Sequence, residues 1–131
     1  MSNFHELIDL AKQTAIEVAH KLSSSQSNMR EIQSVTLSGK ETKIIADRVS
    51  EEIIIKCLEK TGISILSEES GYVNHDDNSN LLWIIDPLDG SLNYSRNSGP
   101  SAISIALWEG MIPIFGVIYL IDDMLLVWGG E

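Results

Sequence analysis

Five apolar residues in a row, Leu81-Leu82-Trp83-Ile84-Ile85, end in Asp86-Pro87-Leu88-Asp89-Gly90-Ser91. No other stretch limits the fold so tightly. A short apolar run of this length suits a buried strand. Pro87 has no N–H to give to a sheet ladder, so the strand should stop near Asp86. Gly90 permits a tight bend, and Ser91 is a good helix N-cap. The pattern predicts a strand, an acidic turn and a helix start whose N–H groups point the same way as the carboxylates. Such a turn can hold a hard cation, and the helix start beside it can hold a phosphate.

The segments around this stretch read as an α+β unit. Residues 3 to 23 form a helix, because Phe4, Leu7, Ile8, Ala11, Ala15, Val18, Ala19 and Leu22 recur at three- and four-residue spacing. His5 and His20 lie on it as surface or packing residues. Residues 29 to 38 alternate weakly and suit a short strand or lead-in. A second helix runs from about Ile44 to Lys60, with Val49, Ile53, Ile54, Cys57 and Leu58 on its apolar side and Thr61-Gly62 closing it. Ile63 to Ser67 alternates as a strand, and Glu68-Glu69-Ser70-Gly71 follows. Residues 72 to 80 read as a polar surface loop, in which His75, Asp76 and Asp77 are better taken as solvated than as a metal cluster. Three apolar runs, Ala102 to Trp108, Ile112 to Leu120 and Met124 to Trp128, with Glu109-Gly110 and Asp122-Asp123 at the reversals, predict an antiparallel meander. Trp108, Phe115, Tyr119 and Trp128 read as core or sheet-face residues.

Composition narrows the function. At 131 residues the chain is one domain or part of one, and a charged fraction of 21% argues against disorder. A net charge of −10 argues against non-specific binding of nucleic acid and suits a protein that holds divalent cations. The single cysteine, Cys57, allows no intramolecular disulfide and points to a reducing compartment. The first residues have no basic, apolar leader pattern, and the longest apolar stretches are broken by Gly, Pro or charge. The expectation is a cytoplasmic chain with no membrane segment.

The run W-I-I-D-P-L-D-G-S-L-N-Y, residues 83 to 94, resembles the signature of the inositol monophosphatase family, whose members are Mg²⁺-dependent, typically lithium-sensitive phosphatases. Upstream, Ile44-Ile45-Ala46-Asp47 matches a family run that ends in Asp, with isoleucine where Thr is usual. Ser67-Glu68-Glu69 matches a G-E-E run, with Ser67 in place of Gly as in the branch acting on bisphosphate nucleotides. Ser91 stands where Thr is usual.

The resemblance implies metal ligands at Glu68, Asp86, the Leu88 carbonyl and Asp89, with Asp86 bridging two Mg²⁺ ions (or Mn²⁺). It implies that Asp47, Glu68 and Ser91 act on the attacking water, and that the backbone of Gly90 and Ser91 holds the phosphate. Haloacid-dehalogenase-type phosphatases also place carboxylates after a buried strand. Their D-x-D-x-T run is not met here, where the spacing is D-x-x-D with Pro87 inside.

The fold so implied is the N-terminal half of the family's layered α/β sandwich, two helices on a mainly antiparallel sheet, filling residues 1 to 131. The family's W-D-x-A-A-G-like run, which carries a further metal ligand, is absent from these residues. The expected substrate is a small phosphate ester: inositol monophosphate or a related sugar phosphate, favoured by Asn93-Tyr94, or alternatively a 3′(2′),5′-bisphosphate nucleotide. A truncated, non-catalytic module that binds metal or a partner is the reading from another class. Uncovered surface implies self-association or a homo-oligomer, and poor turnover by this stretch alone.

Overall fold

The computed structural model describes residues 4–24, 32–35, 42–73, 79–90 and 100–130. The expectations at His75, Asp76, Asp77, Ser91, Asn93 and Tyr94 lie outside the described residues.

Helix α1, Phe4–Ser24, follows directly from its periodic apolar stripe. Ile8, Ala11, Ala15, Val18, Ala19 and Leu22 are all buried. Strands β1 (Ile32–Val35) and β2 (Thr42–Ile44) pair antiparallel as a separate two-stranded ribbon. Helix α2, Ile45–Leu58, continues straight from β2 and ends in a 3₁₀ turn, Glu59–Thr61. Gly62 closes that turn in the left-handed region, φ 73°, its N–H donating to the Glu59 carbonyl at 3.0 Å.

Beyond it come β3 (Ser64–Ser67), β4 (Gly71–Val73), β5 (Leu81–Asp89), β6 (Ala102–Glu109), β7 (Ile112–Leu120) and β8 (Leu125–Gly130). They form one sheet in the order β4-β3-β5-β6-β7-β8. Among the described strands of this sheet only β3 and β5 run parallel, and the other pairs are antiparallel. The α+β class and the mainly antiparallel sheet are as the sequence predicts.

Both helices lie on one face of this sheet, α1 over β6 and β7, α2 over β5 and β3. The core between them gathers Ile65, Trp83, Ile85, Ile103, Ile105, Leu107, Phe115 and Val117 from alternate strand positions. Trp83 is fully buried, so its indole N–H needs a partner, and it donates to Thr61 Oγ1 at 3.1 Å. Its ring meets Phe115 edge-on, with centroids 5.8 Å apart.

The opposite face carries no helix among the described residues. A row running Asp86, Ser104, Ile118, Val127 crosses it from β5 to β8. A neighbouring row runs Leu66, Ile84, Ala106, Gly116. Leu66, Ile118, Leu125 and Val127 on it are exposed, whereas Trp128, opposite Val117, is on the helix side. Lys12 of α1 reaches over the Trp128 ring, 3.9 Å from its centroid. No helix of the described residues is long and apolar enough to cross a membrane.

Three sequence expectations are corrected. Tyr72 and Val73 form β4 rather than loop, because their backbone pairs with Leu66 and Ile65. The buried side of α2 is Ala46, Asp47, Ser50, Glu51, Ile54 and Leu58, whereas Val49, Ile53 and Cys57 are only half-buried. β5 does not stop at Asp86; it passes through Pro87 to Asp89.

Candidate active site

Pro87 is tolerated in β5 because the ladder is already broken there. Asp86 pairs with Ser104 and Asp89 with Ala102, so three steps on β5 face two on β6. This is a β-bulge, one of the few sheet positions where a missing N–H leaves no partner unsatisfied. On its other side, β3 pairs with β5 only as far as Ile85.

The bulge decides where the carboxylates point. Residues three apart on a regular strand face opposite sides of the sheet. The extra residue restores the phase: Ser104 and Ala102 share one face of β6, so Asp86 and Asp89 opposite them share it as well. That is the face away from the helices. Glu68, one step past the end of β3, donates its N–H to the Ile85 carbonyl at 3.2 Å, which holds it level with Asp86. Glu68, Asp86, Leu66, Ile84, Ile85, Ser104 and Ala106 line a cavity of about 250 Å³.

The chemistry of this corner is that of crowded acids. The Asp86 carboxyl is pushed up from 3.8 to about 7. Burial is the largest cause, followed by its hydrogen bond with Glu68 and the charges of Glu68 and Asp89; the Leu88 N–H, bonding back to it, works the other way. Asp89 and Glu68 are exposed, and their side chains can turn. Among the described residues no three His, Cys, Asp or Glu side chains stand converged as a ready-made metal cluster. The donor set nevertheless fits a hard cation, because it offers only oxygens and carries more negative charge than one face of a sheet holds easily.

Gly90 closes the strand at φ +80°. A Cβ there would lie 2.5 Å from the Pro100 carbonyl oxygen and 3.3 Å from the Ser101 Cα. The chain leaving β5 and the chain entering β6 therefore touch backbone to backbone, and glycine is required on two counts.

Asp47 is 4% exposed in the first turn of α2. One turn later Glu51 reaches the end of β3, accepting a hydrogen bond from Ser67 Oγ at 2.6 Å. The start of α2 thus stands at the same end of the sheet as Glu68. The structure brings Glu68, Asp86, Leu88, Asp89 and Gly90 together at this end, with Asp47 on the helix side of it.

Sequence reasoning missed Glu51 and Ser104. Ser104 carried no signal, being one polar residue in an apolar strand. Glu51 did: it lies four residues after Asp47 and three before Ile54, on the stripe that turns out to be buried.

The inositol monophosphatase family model matches residues 3–126. The chain is 35% identical over 113 residues to a fructose-1,6-bisphosphatase/inositol-1-monophosphatase of Thermococcus kodakarensis, covering 85% of this chain and 43% of that protein. It is 31% identical over 120 residues to an inositol-1-monophosphatase of Synechocystis, covering 90% and 41%. Among solved structures, the extragenic suppressor protein suhB of Bartonella henselae superposes with a TM-score of 0.85 at 29% identity, over 96% of this chain and 49% of that one. The chain therefore spans under half the length of the curated relatives named here. With the match running nearly end to end in sequence and in fold, the chain belongs to the inositol monophosphatase family.

Proposed function

We propose that this chain carries the metal-holding side of the active site of a Mg²⁺-dependent phosphomonoesterase. The observation that supports the reading is the bulge in β5, which turns Asp86 and Asp89 to one face beside Glu68. Glu68, Asp86, Asp89 and the Leu88 carbonyl are the groups that would hold the cation, with Mn²⁺ as a substitute. Mg²⁺ bound there would supply a water of lowered pKa and positive charge beside the phosphoryl oxygens. Asp47 and Ser91 would orient that water and take up its proton, together with Glu68. The N–H groups of Gly90 and Ser91 would hold phosphate oxygens.

The substrate in this reading is a small phosphate monoester of the inositol or sugar type. The relative from Synechocystis carries that substrate in its name, and the one from Thermococcus kodakarensis names fructose bisphosphate as well. The alternative, a 3′(2′),5′-bisphosphate nucleotide, rests on the Ser67-Glu68-Glu69 run. The open sheet face is the surface through which copies of the chain would associate.

Calorimetric titration with Mg²⁺ tests the site. The chain should bind, and Asp86→Asn should weaken binding by at least about tenfold, since even residues that only support metal ligands cost that much. Undiminished affinity in Asp86→Asn would overturn the assignment.

A further inference from the structure

A second carboxylate stands behind the site, on the helix side of the sheet. Glu51 is 8% exposed, in a position that an apolar residue could fill. Burying a carboxylate is costly unless its oxygens are satisfied. Here both are: Oε2 accepts from Ser67 Oγ at 2.6 Å, and Oε1 accepts from Ser70 Oγ. These two serines bracket Glu68 and Glu69 in the sequence. Ser67 Oγ also accepts the Glu69 N–H at 3.3 Å. The segment is a short turn between the paired ends Ser67 and Gly71, the latter at φ +83°, and these bonds tie it to α2.

We propose that Glu51 is a positioning residue for Glu68, latching the turn that carries it to helix α2. The proposal rests on the reading above that Glu68 holds the metal. Glu68 is fixed from two sides: its own N–H is tied to Ile85 of β5, and its flanking serines are tied to α2. The latch sets how far Glu68 stands from Asp86, whose place is set separately by the bulge. Because Asp47 and Glu51 share one helix, the latch also fixes the distance between Asp47 and the metal-holding turn.

The test is Mg²⁺ affinity by calorimetry, read beside the thermal midpoint, in four variants of this chain: Glu51→Gln, Ser70→Ala, Glu68→Gln and Thr61→Val. Glu51→Gln keeps the shape but offers one acceptor oxygen in place of two. Ser70 is exposed, so Ser70→Ala removes half of the latch at little cost to folding. Glu51→Gln is expected to weaken Mg²⁺ binding about tenfold, the usual effect of losing a group that orients a ligand, and Ser70→Ala severalfold. Thr61→Val, at the opposite end of α2, should lower the thermal midpoint and leave Mg²⁺ affinity alone. Wild-type affinity in Ser70→Ala and in folded Glu51→Gln, with Glu68→Gln weakened, would overturn the latch and leave the metal site standing. Unchanged affinity in Glu68→Gln would overturn the metal site and the latch together. If Glu51→Gln does not fold, Ser70→Ala alone decides.

Discussion

Asp86 is the residue on which the site's electrostatics turn. Its carboxyl ordinarily titrates at 3.8, and in the folded chain it does so at about 7. Between those values the folded chain holds a proton that the unfolded chain releases. The stability contributed by this residue is therefore full below the lower value and is lost as pH rises through the window. We expect Asp86→Asn to remove that loss. In metal-free buffer, its stability relative to the parent should rise from about pH 4 to about pH 7. Urea unfolding at several pH values with a chelator present checks this, and a difference that stays flat with pH would contradict it. At this scale the sequence was partly legible. Asp86, Asp89 and Gly90 stood out because their spacing after a buried strand has few other uses. Glu51 did not stand out, because its spacing from Asp47 and Ile54 becomes a signal only once that face of α2 is known to be buried.

Among the elements, the joint between α2 and β3 is held by a single hydroxyl. Thr61 Oγ1 donates to the Leu58 carbonyl at 2.6 Å and accepts from the Ile63 N–H at 3.2 Å and the Trp83 indole at 3.1 Å. Thr61→Val keeps the shape but leaves the buried indole N–H unpaired. It should cost about 1–3 kcal/mol in urea unfolding, the usual penalty for an orphaned buried donor. A loss of under half a kcal/mol or so would mean that the indole finds another partner. The sequence announced where α2 ends, since Thr-Gly is a common helix stop, but not that Thr61 ties the helix to the central strand. The misreading of β5 has a similar cause. Proline ends a regular strand, and whether a bulge absorbs it depends on the register of β6, which is no local property of the Asp86–Asp89 stretch.

For the whole molecule, the open sheet face matters most. Ile118 and Val127 are register neighbours on it, and both are exposed. Among the described residues, β8 lies at the edge of the sheet and pairs with β7 alone. An uncovered apolar face beside a bare strand edge favours association between copies. Sedimentation velocity should show a concentration-dependent shift to larger species, and Ile118→Lys with Val127→Lys should reduce it. A parent chain that stays monomeric at high concentration would count against this. The acids at the start of the row shared with Ile118 and Val127 explain why the general class was readable from sequence. They announce the chemistry, whereas the extent of the apolar face emerges only when four strands are laid side by side.

The packing of α1 on β6 and β7 also bears on how the chain reaches its fold during synthesis. The helix comes first in the sequence, and the strands that receive its stripe come near the end of these residues. The meander β6 to β8 joins neighbours in the chain through short turns and can close early, since short loops cost little entropy. Helix α1 also packs on α2, so only the part of its stripe that faces β6 and β7 has to wait until those strands have left the ribosome. Its alanines at 11, 15 and 19 present less sticky surface during that wait than leucines would. The contact between α1 and β7 joins residues far apart in the sequence, so its closure costs more entropy than a hairpin of the meander.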